Sequence, residues 1–228
     1  MNNKISIFGG TGFIGGRFCE LYPDFSIKIP KEENAPFTKN ILYLISTVHN
    51  NTDWNYSTIN TDIDTNLKKL VLVLDNCKNR ENLVFNFVSS WYCYGNINPP
   101  FKESDICFPK GFYSITKKTA EDIFISFINA FNIKWRIFRL GNVYGDDKRI
   151  SKHRNALQYL IEKIKNNKDI NLFYGGDFYR DYIYIDDVCK AIKFLMDNSS
   201  ANQIYNIGNG IPIKFLDLMN FVKKKYNS

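Results

Sequence analysis

Lys4-Ile5-Ser6-Ile7-Phe8, continued by Gly9-Gly10-Thr11-Gly12-Phe13-Ile14-Gly15, is a short β-type run that feeds into a glycine-rich turn, and helical character follows through about Tyr22. Strand, turn and helix in that order are what a dinucleotide fingerprint requires. One glycine makes the tight turn, one lets a pyrophosphate approach the backbone, and one lets the helix pack on the strand. The helix start offers its N–H groups and the positive end of its dipole to the phosphates. Gly9, Gly12, Phe13, Ile14 and Gly15 are therefore the candidate cofactor-binding residues at this end of the chain.

Working outward, apolar runs predict strands near residues 25–29, 41–46, 83–88, 134–139 and 203–207. Helical stretches fall near 13–22, 62–79, 113–131, 153–167, 187–197 and 214–226. Such alternation means a parallel sheet covered by helices. The expected fold is α/β, a Rossmann-type doubly wound parallel sheet with a small C-terminal substrate lobe. Residues 1–145 form the dinucleotide-binding core in this reading. Residues 146–228 are a mixed segment that returns the strand at 203–207 to the sheet and builds a reduced substrate lobe.

Two further stretches carry chemistry. The run from Asn82 to Val88 reads as a buried strand, and its carboxyl end, where ligands of open α/β sheets bind, carries Ser89 and Ser90. The Ser90 hydroxyl can donate to a substrate carbonyl or alkoxide. Tyr113 then precedes Lys117 by one helical turn, on a shared face. A free phenol has a pKa of about 10, so only about 0.1% is phenolate at neutral pH; lowering it by three units needs about 4 kcal/mol. A lysine ammonium one turn away and the positive charge of an oxidised nicotinamide both favour the phenolate.

These elements, taken together, resemble the extended short-chain dehydrogenases/reductases, in the NAD-dependent epimerase/dehydratase group, most of whose members modify nucleotide sugars. Pro99, Glu103, Pro109, Tyr113, Lys117 and Glu121 fall at that family's spacing. Arg139-Leu-Gly-Asn142-Val-Tyr-Gly145 is similar to its Arg-x-x-Asn-Val-Tyr-Gly segment. Gly175 to Val188 resembles its block of glycine-rich turn, Arg-Asp-Phe and Val-x-Asp-Val, and Tyr205-Asn-Ile-Gly208 its Phe-Asn-Val-Gly. The likeness runs over roughly residues 4 to 210. It implies a catalytic set of Ser90, Tyr113 and Lys117, with Tyr113 passing a proton to or from a sugar hydroxyl. Tyr113 and Lys117 would also contact the cofactor, Lys117 at the nicotinamide ribose. Ser90, Asn142 and Arg180 would bind substrate, the last two at its diphosphate, for which a guanidinium suits better than an ammonium. The resemblance further implies NAD or NADP as cofactor, a nucleotide sugar as substrate, and a homodimer formed through the helix of Tyr113. Phe124, Phe127, Ile128 and Phe131 give that helix an apolar stripe open to either core or interface use.

The bulk properties exclude other classes. With 228 residues, of which 44% are hydrophobic, the chain can bury a full α/β core. No apolar run reaches the length of a membrane span, and the start leaves no room for a signal peptide, so the expectation is a cytoplasmic protein without membrane contact. Five cysteines without a Cys-x-x-Cys suggest reduced thiols, with no metal site. The net charge of +7 is spread along the chain rather than gathered, so no nucleic-acid partner is expected, and clusters such as Lys148 to Arg154 read as solvated faces.

Three departures from the family pattern bear on function. Only about a dozen residues separate the second strand from Ile41, where the family fits a helix and another strand, so one edge strand is expected to be missing. Where an acid normally meets the ribose 2′-hydroxyl stands Pro30, followed by Lys31, Glu32 and Glu33. Lys31, Lys28 or Arg17 facing a 2′-phosphate would favour NADP over NAD. The segment after Gly210 is also short for a substrate lobe. After Ser90, the nucleotide-sugar 4,6-dehydratases carry Asp-Glu, but this chain has Trp91-Tyr92. Cys93 reads as structural and His153 as a loop residue. What remains is chemistry at one sugar carbon, either 4-epimerisation or 4-keto reduction. The alternative is a non-catalytic dinucleotide-binding subunit that pairs with a full-length relative.

Overall fold

The computed structural model describes residues 4–47, 55–95, 97, 99–145 and 156–226. His153 and the basic cluster from Lys148 to Arg154 lie outside the described residues. The chain divides into two compact units, Met1–Leu140 with Cys189–Ile207, and Gly141–Val188 with Gly208–Ser228.

The first unit is built on a six-stranded parallel sheet. In chain order its strands are β1 (Ile5–Phe8), β2 (Ser26–Lys28), β3 (Asn40–Tyr43), β4 (Val84–Ser90) and β5 (Lys134–Leu140), followed by a returning strand at Gln203–Ile207. The spatial order is β2, β1, β3, β4, β5 and the returning strand, so β2 is the edge beyond β1. The inner strands β1, β3 and β4 are mostly buried because helices cover both faces of a parallel sheet; every residue of β1 is buried, as are Phe85 to Ser89 of β4, whereas the edge strand β2 (Ser26-Ile27-Lys28) has no buried residue. The parallel sheet and its helices are those expected from the alternation of runs.

Helix α1 (Phe13–Leu21) follows β1, and α4 (Phe112–Ala130) precedes β5. Lys117, Glu121, Phe124 and Ile128 recur at helical spacing on the buried face of α4. Phe124 and Ile128 are core and Phe131 is exposed, so the apolar stripe is divided between interior and surface. Fully burying a Phe124-sized side chain stabilises by about 2–3 kcal/mol. The expected helix at 62–79 differs in detail. It begins earlier, as α2 (Tyr56–Asp62), because Asn55 caps it by accepting from the Thr58 N–H at 2.9 Å. It then passes through a π-helical turn at Ile63–Lys68 and ends as α3 (Lys69–Asp75).

The second unit has its own small sheet, which the sequence patterns did not announce. It contains β6 (Asn142–Tyr144), β7 (Tyr179–Tyr184) and a short strand at Pro212–Lys214, antiparallel to β7. The helix α5 (Ala156–Lys165) and the last helix, Phe215–Tyr226, share a core of Leu157, Ile164, Phe215, Met219 and Val222. No helix among the described residues is long and apolar enough to cross a membrane.

Candidate active site

Parallel pairing of β1 with β3 and of β3 with β4 sets Phe8 beside Tyr43 and Tyr43 beside Phe87. The carboxyl ends of these strands therefore bring Gly9, Ser46 and Ser90 to one edge of the sheet. Gly9 has φ +83°, a conformation side chains rarely adopt, and this starts the turn. A Cβ on Gly15 would stand 2.2 Å from the Gly9 carbonyl oxygen, so only glycine lets α1 approach the turn so closely. Gly12 is the N-cap of α1, in extended backbone with an ordinary φ of −73°. With Phe13 and Ile14 opening the helix, the turn fits a dinucleotide pyrophosphate.

Ser90 ends β4, and its Oγ accepts from the Tyr92 N–H at 3.3 Å. Tyr113 stands in the first turn of α4, where its side chain interacts with those of Ser46 and Ser90. Burial pushes its phenol up to about 12. Lys117, almost wholly buried, donates from Nζ to the Val88 carbonyl at 3.0 Å and lies 4.8 Å from the centre of the Phe87 ring. Burial brings its ammonium down to about 8. Ser90, Tyr113 and Lys117 are thus gathered at one strand end. The lowering of the phenol that proton abstraction requires is not built into the protein by itself, because desolvation acts on both groups against charge.

A buried polar cluster behind Tyr113 was not anticipated. Asn66 Oδ1 accepts from Ser46 Oγ at 3.1 Å and from the Thr47 N–H at 3.0 Å. Its Nδ2 donates to Thr47 Oγ1 and Thr116 Oγ1, both at 3.1 Å, and Thr116 Oγ1 donates to the Tyr113 carbonyl at 2.9 Å. Every bonding position of the amide is used, which is what allows it to be buried. The one signal in the sequence was a polar residue on a helical stripe that continues through Leu70, Val73 and Cys77, all core.

Several residues at family spacing hold one another. Arg139 Nη2 and Glu121 Oε2 form a buried pair at 2.7 Å. The Tyr94 hydroxyl donates to Asn206 Oδ1 at 2.7 Å, and the Asn206 N–H donates to Glu103 Oε1 at 2.8 Å. Cys93 is buried and its thiol is pushed up to about 12 by that burial, in keeping with a structural thiol; Cys19, Cys77 and Cys189 are buried too. Directly after Ser90, Trp91 and Tyr92 stack at 4.3 Å, and Tyr92 meets Tyr113 edge-on at 6.0 Å.

At the end of β2, the Lys28 stem lies 3.0 Å from where a Gly10 Cβ would be, which sets this lysine beside the glycine turn. Lys31 is exposed, and Arg17 is paired with Glu20 at 3.0 Å. In the second unit, Asn142 on β6 donates from Nδ2 to the Asp181 carbonyl at 3.1 Å. Arg180 on β7 donates to the Tyr179 carbonyl at 2.8 Å, with its guanidinium 4.6 Å from the centre of the Phe178 ring. The neighbouring Asp181 carboxylate accepts from the N–H groups of Asn209 and Gly210.

The sequence profile of the NAD dependent epimerase/dehydratase family matches residues 40–208, well over half the chain. A dTDP-4-dehydro-6-deoxyglucose reductase of Escherichia coli is 29% identical over 134 residues, covering 59% of this chain and 42% of that protein. A dTDP-D-glucose 4,6-dehydratase of Dictyostelium discoideum is 29% identical over 158 residues, covering 64% and 36%. The chain therefore spans less than half the length of these two relatives. Among solved structures, a UDP-glucuronic acid 4-epimerase from Bacillus cereus, in complex with UDP-glucuronic acid and NAD, superposes with a TM-score of 0.87 over 99% of this chain and 83% of that one. At 20% identity this likeness shows the fold.

Proposed function

Since this chain belongs to the NAD dependent epimerase/dehydratase family, we propose that it is a nucleotide-sugar oxidoreductase acting at a single sugar carbon, as a 4-epimerase or 4-ketoreductase. The observation that carries the reading is the gathering of Ser90, Tyr113 and Lys117 at one strand end of the sheet that holds the Gly9 to Gly15 turn. That turn would hold the diphosphate of a nicotinamide dinucleotide, whose ring, when bound, takes up or returns a hydride at the sugar carbon. The residues manage the proton at the oxygen of that carbon. Tyr113 passes it, and Ser90 donates a hydrogen bond to the same oxygen as charge grows there. Lys117 supplies positive charge beside the phenol and reaches the ribose of the cofactor. In the ketone-reducing direction a neutral phenol is the form needed, and burial maintains it.

Asn142 and Arg180 would serve the substrate diphosphate, and a second copy of the chain would dock along α4 and its C-cap, where Ile115 and Phe131 are exposed. Trp91 and Tyr92 support the restriction to one carbon, since elimination of water also needs an acid and a base beyond the reacting carbon, and neither side chain is a carboxylate. The cofactor in this reading is NAD or NADP, with Lys28 and Lys31 favouring NADP.

The test is incubation of the purified chain with nicotinamide cofactor and a panel of nucleotide sugars and their 4-keto forms, followed by near-ultraviolet absorbance and mass spectrometry. Turnover without loss of water is expected, falling at least about 10²-fold in Tyr113→Phe with cofactor affinity kept. Loss of water from dTDP-glucose or CDP-glucose would overturn the single-carbon reading. Normal turnover in the Phe variant would remove its mechanism.

A further inference from the structure

We propose that Lys69, at the start of α3, is a positioning residue for the nucleotide end of the cofactor, holding the turn after β2 so that lysines rather than carboxylates meet the ribose 2′ position. The inference rests on the dinucleotide reading above. Residues 30–39 lead from the end of β2 to β3 without regular structure, and such a stretch has no ladder to satisfy its carbonyls. Lys69 supplies what is missing. Its Nζ donates to the Lys31 carbonyl at 2.9 Å, to the Glu33 carbonyl at 3.1 Å and to Asn34 Oδ1 at 2.6 Å. An ammonium has three protons, and all three are engaged by one short turn.

The turn is closed from within as well. The Glu33 N–H donates to the Pro30 carbonyl at 3.1 Å. Glu33 Oε1 accepts from the N–H groups of Asn34 and Ala35, both at 2.8 Å, and these two bonds hold its carboxyl below the usual range. One of the two acids able to read a ribose hydroxyl is therefore turned onto its own backbone. Lys28 and Lys31 are exposed, and Lys28 packs its stem against the glycine turn. Among the described residues, neither spends its ammonium on an ion pair. Glu32 is the one acid left on the surface of this turn. Ordering a residue costs conformational entropy, so a turn already ordered by Lys69 spares an incoming 2′-phosphate that cost.

The experiment is calorimetric titration of the whole chain with 2′,5′-ADP and with ADP, in wild type, Lys69→Met and Lys69→Arg, each checked by circular dichroism. Wild type is expected to prefer 2′,5′-ADP by about tenfold or more. Lys69→Met should bring the two affinities within about threefold while leaving that for ADP unchanged, and Lys69→Arg should restore the preference. A preference that survives Lys69→Met, or equal losses for both nucleotides, would overturn the role of Lys69 and leave the dinucleotide reading standing. A wild type that prefers ADP would overturn the claim that lysines face the 2′ position. If neither nucleotide binds wild type, the dinucleotide reading fails and the proposal with it.

Discussion

Replacing Lys117 by methionine removes a buried ammonium that donates to the Val88 backbone carbonyl, and the structure sets the size of the effect. Its pKa falls from 10.5 to about 8 on folding. The unfolded chain therefore binds this proton more tightly than the native one, and folding carries a penalty that is full below about pH 8 and fades as pH rises towards 10.5. The two values give a penalty of about 3 kcal/mol near pH 7 and about 1 kcal/mol near pH 9.5. Methionine keeps most of the apolar stem over Phe87 but leaves the Val88 carbonyl without its donor, which costs about 1 kcal/mol. Lys117→Met should thus be more stable than wild type by about 2 kcal/mol near pH 7 and about equal to it near pH 9.5. Urea unfolding of both chains at the two pH values measures this, and contributions from other high-pKa groups, such as Tyr43 and Cys77, cancel in the difference. A variant destabilised by the same amount at both values would refute the reasoning, for it would mean that the ammonium is not desolvated.

Two further changes probe the frame of the site. In Gly15→Ala the new Cβ would meet the Gly9 carbonyl oxygen at 2.2 Å, and because that contact is backbone, α1 itself must move; a loss of about 2 kcal/mol in stability together with nucleotide binding is expected, and unchanged melting and affinity would count against the close approach. Glu121→Gln leaves Arg139 buried without its counter-charge and should destabilise by about 3–5 kcal/mol. Asp122→Asn, at an exposed pair with Lys118, should cost less than about 1 kcal/mol, so equal effects of the two substitutions in chemical denaturation would show that burial does not set the difference.

The sequence by itself determined the parallel sheet, because strand runs followed by helical runs are local patterns with periods of their own. It also determined the glycine turn, where Gly9 and Gly15 are the residues whose φ and close contact admit no side chain. Ser90, Tyr113 and Lys117 were legible for the same reason, being placed by the end of one strand and one turn of one helix. The short strands of the second unit were not, since three residues such as Asn142–Tyr144 are too few to show a period. Nor was the Asn66 cluster, whose partners lie 19, 20 and 50 residues away, nor the Lys69 clamp, whose oxygens lie 35 to 38 residues away. Those contacts exist because β1 pairs with both β2 and β3, which leads the connecting chain across the sheet to α3. Only the tertiary structure decides which polar groups are buried together. Burial then decides their protonation, as it does for Tyr113 and Lys117, because the cost of charge depends on the surroundings that distant segments supply.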